Sequence, residues 1–242
     1  GRTMETADLN DHISRRYNHD IENLRSKVLA MGGLVESQLS QAIAAIVSGD
    51  SELGLQVAHD DYKVNELEVS IDEECGRILA TRAPAARDLR LIVAIIKTIT
   101  DLERIGDESE KIAQITIRNG AASAPGLDKN MEQIEDMGLM VRNTLREALD
   151  AFVRMDVEAA VDAARRDEDV DERYVNLLKA LTAHIKEYPQ DTEDYQSLIW
   201  VTRSLERIGD HAKNICEYVI YLVKGKDVRH TTIDELEQEA RS

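Results

Sequence analysis

The sequence predicts an all-α protein made of two tandem three-helix bundles, six long helices in all. Three observations point there. Aromatic residues make up only 4% of the chain and prolines number three in 242, while Ala, Leu, Ile, Val and charged residues dominate, a balance that favours long helices over sheets. Apolar residues recur at heptad-like spacing through most of the length. And the string Leu102-Glu103-Arg104-Ile105-Gly106-Asp107 returns as Leu205-Glu206-Arg207-Ile208-Gly209-Asp210, so that a unit of just over 100 residues is repeated.

The first helix is expected from about Asp20 to Ser48, with Ile21, Leu24, Val28, Met31, Val35, Ala42 and Ile46 on its seam. Gly49-Asp50-Ser51 supplies turn and capping chemistry. A second helix follows to about Arg82, carrying Val57, Val64, Ile71, Cys75 and Ile78, and Pro84 closes it. The third, about Ala86 to Asn119, contains the first copy of the repeated motif. Residues 120–126, rich in Ala and Gly with Pro125, read as a linker. The plan then restarts. A fourth helix shows Met131, Ile134, Gly138, Val141, Leu145, Ala148 and Phe152. A fifth runs from about Val157 to Tyr188-Pro189, and a sixth, about Asp191 to Lys224, holds the second motif copy and stops at Gly225. The expected organisation is a polar N-terminal segment (1–19), a first bundle (20–119), the linker (120–126), a second bundle (127–229) and an acidic tail (230–242), with both ends loosely held.

The formal net charge of −17 argues against nucleic acid as a direct partner, because phosphates are repelled; it suits a protein that meets basic surfaces or binds cations. Cys75 and Cys216 form no CxxC or zinc-type spacing and read as reduced helix residues of a cytoplasmic protein. No secretory signal and no membrane-length apolar run is visible.

Each motif copy places two acids four residues apart, which stacks two carboxylates on one helix face. Like charges at that spacing repel unless something cationic compensates them. Helices two and three of each half are joined by a short turn and must be antiparallel neighbours. Counting from Pro84, Asn65 and Glu103 both lie 19 residues away, and Asp61 and Asp107 both lie 23, so these pairs sit level across the hairpin. The count from Pro189 likewise sets Asp171 level with Glu206 and Asp167 level with Asp210. Asp61 and Asp167 also fall where the seam calls for an apolar residue, a costly place for an unligated carboxylate. The candidate metal ligands are therefore Asp61, Asn65, Glu103 and Asp107 in the first half, and Asp167, Asp171, Glu206 and Asp210 in the second. Oxygen-only sets suit Mg²⁺, Mn²⁺, Ca²⁺ or iron rather than zinc. Gly106 and Gly209, unfavourable inside a helix, make sense if a neighbouring helix or a ligand approaches closely. Glu68, Glu110, Asn214 and Glu217 are weaker candidates, and His211 points away from Asp210. No Glu-x-x-His pair, P-loop or catalytic triad is present, so no enzyme is expected.

These residues resemble the PhoU family of bacterial phosphate-signalling proteins. The likeness is carried by Met31-Gly32-Gly33-Leu34-Val35-Glu36, by Asp61-x-x-Val64-Asn65-x-Leu67-Glu68-x-x-Ile71-Asp72, and above all by the run from Leu205 to Glu217 continued by Tyr221 to His230. The resemblance implies two symmetric three-helix bundles. It also implies iron or other metal clusters on E/D-x-x-x-D motifs, here Glu103/Asp107, Glu206/Asp210 and Asp167/Asp171; Asn65 departs from that pattern. It implies further an accessory of the phosphate ABC transporter that represses the phosphate-starvation regulon. Such a protein links the transporter's ATPase subunit to a membrane sensor histidine kinase, reaches the membrane only through those partners, and commonly forms a homodimer. The alternatives are a metal-dependent redox or hydrolytic enzyme using the same carboxylates, and a metal-free helical scaffold.

Overall fold

The computed structural model describes the chain except Gly1 and residues 120–126, so the expected linker lies outside the described residues. Seven helices follow in order: α1 (Arg2–Ser48), α2 (Ser51–Arg82), α3 (Ala86–Asn119), α4 (Leu127–Arg154), α5 (Val157–Glu187), α6 (Thr192–Lys224) and the short α7 (Ile233–Arg241). A 3-10 turn, Pro189–Asp191, joins α5 to α6. Among the described residues there is no strand, and no helix is long and apolar enough to cross a membrane.

Local chemistry sets the boundaries twice over. Asp50 caps α2 by accepting from the Leu53 amide, and Asp156 caps α5 by accepting from Ala159. The residue before each cap is left-handed, Gly49 at φ 67° and Met155 at φ 52°. Glycine takes that conformation at no steric cost, whereas Met155 holds it under strain. At the other ends, Ala83 (φ 43°) terminates α2 ahead of Pro84, and Gly225 (φ 73°) terminates α6 with its amide bonded to the Tyr221 carbonyl.

The seams converge on one continuous core that draws side chains from both halves, with Leu102 and Leu205 both fully buried within it. The halves meet at two crossings. Gly32 of α1 receives the Leu149 side chain of α4, and Gly138 of α4 receives Ile43 of α1, the same contact made twice in opposite senses. The broadest helix–helix contact among the described residues is α3 against α6, the two motif-bearing helices. Residue i of α3 corresponds to i + 103 in α6, and i of α1 or α2 to i + 106 in α4 or α5, so a pseudo-twofold axis runs through both crossings.

Both ends depart from the expectation of loose segments. α1 begins at Arg2, and no Gly or Pro occurs in residues 2–31 to interrupt it; residues 6–19 are exposed apart from half-buried Tyr17 and extend the helix past its neighbours. The acidic tail folds as well. Thr232 and Glu235 form a reciprocal capping box, and Leu236 and Ala240 bury themselves against Val161, Ile220 and Val228. Arg165 of α5 pairs with Glu237 and Asp234 across the same contact. Cys75 and Cys216 are both buried free thiols.

Candidate metal centre

The first half brings Asp61 of α2 together with Asp107 and Glu110 of α3, each offering an oxygen within 4.8 Å of the others. In the second half Asp167 and Asp171 of α5 meet Asp210 of α6 at the same limit. Glu103 and Glu206 do not complete these trios directly. Each shares a hydrogen bond with the acid four residues on, Asp107 and Asp210 respectively, as one-turn stacking demands. Asn65 stays exposed on α2. The third carboxylate of the first trio is Glu110, which ranked among the weaker candidates, yet lies three residues after Asp107 on the same face. Its counterpart in α6 is Lys213, a cation, so the two trios are assembled from different residues. Of the other weaker candidates, Glu68 borders the first trio beside Asp107, whereas Asn214 serves elsewhere, as described below.

Burial makes these carboxylates reluctant to ionise. Desolvation, then the charges of Asp171 and Asp210, push Asp167 up to about 7. Desolvation and the hydrogen bond with Asp210 push Glu206 up to about 8. In the first half desolvation raises Glu103 and Glu110 to about 7 each, reinforced by Asp107 and Asp61 respectively. Asp171 and Glu68 are also raised, again chiefly by burial.

The motif glycines explain how the buried acids reach the facing helix. A Cβ on Gly209 would lie 2.8 Å from Asp167 Oδ1, and one on Gly106 would lie 3.4 Å from Asp61 Oδ1 and 3.0 Å from Gln38 Oε1. At Gly209 any other residue pushes the Asp167 carboxylate off the α6 backbone, whereas at Gly106 it crowds the Gln38 amide and leaves Asp61 at ordinary contact distance. The two acids differ in what satisfies them. Gln38 Nε2 donates to Asp61 Oδ1 at 2.7 Å. The residue corresponding to Gln38 is Thr144, whose hydroxyl donates instead to the Met140 carbonyl of its own helix. Asp167, 1% exposed, is left with Oδ1 unpartnered. A buried oxygen without a donor is a costly feature that a cation relieves. The donor set, all carboxylate oxygen, fits a hard ion such as Mg²⁺, Mn²⁺ or iron.

A third acidic site lies at the α3–α6 crossing and was missing from the sequence reading. Asp101, 5% exposed, accepts from Asn214 Nδ2 at 3.0 Å and Tyr218 OH at 2.5 Å, and is bonded to His211 Nδ1 at 2.7 Å. All three partners come from the other half, and no turn connects the two helices from which such a pairing could be counted. Glu217 nearby is buried and pushed up to about 7 by desolvation, with Asp101 adding to the rise.

Comparison with known proteins bears on the family and the fold. The model of the PhoU domain matches the chain twice, over residues 28–116 and 134–219, one match in each half. A phosphate-specific transport system accessory protein PhoU homolog from Pseudomonas putida is 46% identical over 96% of this chain and 90% of its own length. The PhoU accessory protein of Escherichia coli K12 is 41% identical over 97% and 96%. The crystal structure of PhoU from Pseudomonas aeruginosa superposes with a TM-score of 0.83 at 45% identity, covering 87% of this chain and all of that one (100%). The phosphate transport system regulatory protein PhoU from Streptococcus pneumoniae gives 0.79 at 29% identity, over 88% and 99%. Near-complete coverage on both sides, with the repeated domain in register with the pseudo-twofold axis, establishes that the chain belongs to the PhoU family.

Proposed function

We propose that this protein is an accessory of the high-affinity phosphate ABC transporter that restrains phosphate uptake and the phosphate-starvation regulon. In this reading it is a cytoplasmic, non-enzymatic adaptor between the transporter's ATPase subunit and a membrane sensor histidine kinase. The carrying observation is the full-length likeness, in sequence and fold, to proteins named as phosphate-specific transport accessories. An adaptor biases its partner only by binding two of the partner's states unequally. A rigid bundle with one continuous core is suited to that task, because it presents a fixed surface. Deleting the gene in its host is expected to leave phosphate-responsive genes on in high phosphate; normal repression in the deletion strain would sink the reading.

We further infer that the two trios bind metal, held by Asp61, Asp107 and Glu110 in the first half and by Asp167, Asp171 and Asp210 in the second. Glu103 and Glu206 support them by sharing a proton or a ligand with the neighbouring aspartate. Bound there, a hard cation supplies the positive charge that these desolvated carboxylates otherwise lack. The unpartnered oxygen of Asp167 supports this reading independently of the family likeness. Elemental analysis after native purification tests it: metal retained by the wild type and lost on changing Asp107 and Asp210 to Ala favours it, and metal-free protein indifferent to added Mn²⁺ opposes it.

A further inference from the structure

At one end of the α3–α6 crossing lies an open groove of about 460 Å³ whose walls include Lys111, Ile115, Arg118, Trp200, Arg203 and Arg207. Four cations gather here in a chain of net charge −17. Buried Glu108 meets two of them, Lys111 Nζ at 3.0 Å and Arg207 at 3.5 Å. Arg118 and Arg203 make no ion pair among the described residues, so positive charge remains in excess. Trp200, the only tryptophan of the chain, is 51% exposed at the groove edge with the Arg203 guanidinium 5.9 Å from its ring centre.

The pseudo-twofold axis supplies the comparison that assigns an occupant. It maps Ser204, in the groove wall, onto Asp101, and Lys111 and Ile115 onto Asn214 and Tyr218. At that other end the gap is closed from within. The Asp101 carboxylate sits among His211, Asn214 and Tyr218, and Lys97, the counterpart of Trp200, lies over the Tyr218 and Tyr221 rings. Where Ser204 stands there is no carboxylate, and Glu108, the one acid nearby among the described residues, is taken up by Lys111 and Arg207, which leaves Arg118 and Arg203 unmatched. The same cleft is left open, cationic and aromatic.

We propose that this groove docks an acidic segment of a partner protein, which places a carboxylate where Asp101 sits at the opposite end and lays an apolar side chain against Trp200 and Ile115. Charge complementarity with the excess cations selects the acid. The apolar floor, with arginine stems along it, selects a polypeptide over a free anion. Exposed tryptophan and arginine are the residue types that concentrate binding energy at interfaces. The proposal rests on the adaptor reading only for its biological setting, since it concerns binding by the purified chain.

Trp200 reports its own occupancy. Full-length protein is titrated with acetylated Glu-X-Glu-Glu-X-Glu peptides, X being Leu, Phe or Tyr, and with their Gln counterparts, while tryptophan emission is followed. The expected result is a saturable spectral shift with at least one acidic peptide, none with its Gln counterpart, and a rise in Kd of tenfold or more in Arg118→Ala/Arg203→Ala. Both arginines are exposed, so the helical circular dichroism should be unchanged; Arg118→Glu, a single reversal, gives the same reading if the double variant folds poorly. A response equal for Gln peptides, unchanged in the variants, or absent with all three acidic peptides overturns the proposal. So does an equal saturable shift from inorganic phosphate alone or from phosphatidylserine vesicles, which would make the groove an anion or lipid site. None of these outcomes bears on phosphate repression in the cell, so failure here and failure of the adaptor reading are told apart.

Discussion

The two carboxylate trios look alike and are satisfied differently. In the first half Asp61 is bonded to the Gln38 amide, and Glu103 and Glu68 border a trio that Glu110 completes. In the second half Thr144 spends its hydroxyl on its own helix, Asp167 keeps an orphan oxygen, and Lys213 stands where Glu110 would. One site thus has more negative charge with its buried acid internally paired; the other has less charge with its buried acid waiting for a donor. Duplicated backbones fix where carboxylates can meet, but the residues one layer further out decide whether they need an ion.

The largest effect tests whether the halves can be compared as parts of one body. Leu102→Ala and Leu205→Ala, at corresponding fully buried positions, should each cost about 2–5 kcal/mol. Because the core is continuous, each should shift a single calorimetric transition; two separately melting halves would break the comparison at its base. Next in size is metal loading. Asp61→Asn and Asp167→Asn should each remove one half's share of bound Mn²⁺ in equilibrium dialysis. Only Asp167→Asn should leave metal-free stability unharmed or improved, since it removes a buried charge that nothing pairs. Equal stability losses in the two variants would show that the orphan oxygen is irrelevant.

A pH series sharpens the contrast further. Burial raises Asp167 from its ordinary 3.8 to about 7 and Glu206 from 4.5 to about 8, so the folded state holds protons that the unfolded chain releases. Stability of the metal-free protein should therefore fall as pH rises from about 4 to about 8. Saturating Mg²⁺ or Mn²⁺ should flatten that fall, because bound metal favours the ionised form. Denaturant titrations at pH 5 and pH 8, with and without metal, measure both arms; a metal-free protein more stable at pH 8 would contradict the burial argument. The smallest effect comes from exchanging the outer residues. Lys213→Glu should tighten the second site and Glu110→Lys weaken the first, each by roughly tenfold, about 1.4 kcal/mol, read by metal titration.

Much of this was legible in the sequence. The repeated hexapeptide, the prolines at matching turns and the heptad seams carried the helix order, and counting outward from Pro84 set Asp61 level with Asp107. Antiparallel helices joined by a short turn leave little freedom in that count. The same count sets Asn65 level with Glu103, but level height does not fix direction around the helix, and Asn65 is exposed on α2. Glu110 was underrated because its partner, Asp61, is matched through the three-residue neighbour of Asp107 rather than the four. The ends were misjudged by reading polarity as looseness. Thr232 with Glu235, and Ile233, Leu236 and Ala240 on one face, are available signals, and so is the absence of Gly and Pro from residues 2–31. The Asp101 cluster had no such signal. Its partners lie more than 100 residues away on a helix that no short loop connects.

That cluster also makes the two halves unequal. If two copies of the first half paired through α3 in the way α3 now pairs with α6, Asp101 would exchange His211, Asn214 and Tyr218 for Glu108, Lys111 and Ile115, and the one cation among them is already paired with Glu108. Two copies of the second half would bring His211, Asn214 and Tyr218 against Ser204, with no carboxylate to receive them. The mixed pairing brings Asp101 its three partners. The two halves, alike in backbone, are thus complementary rather than interchangeable at this seam.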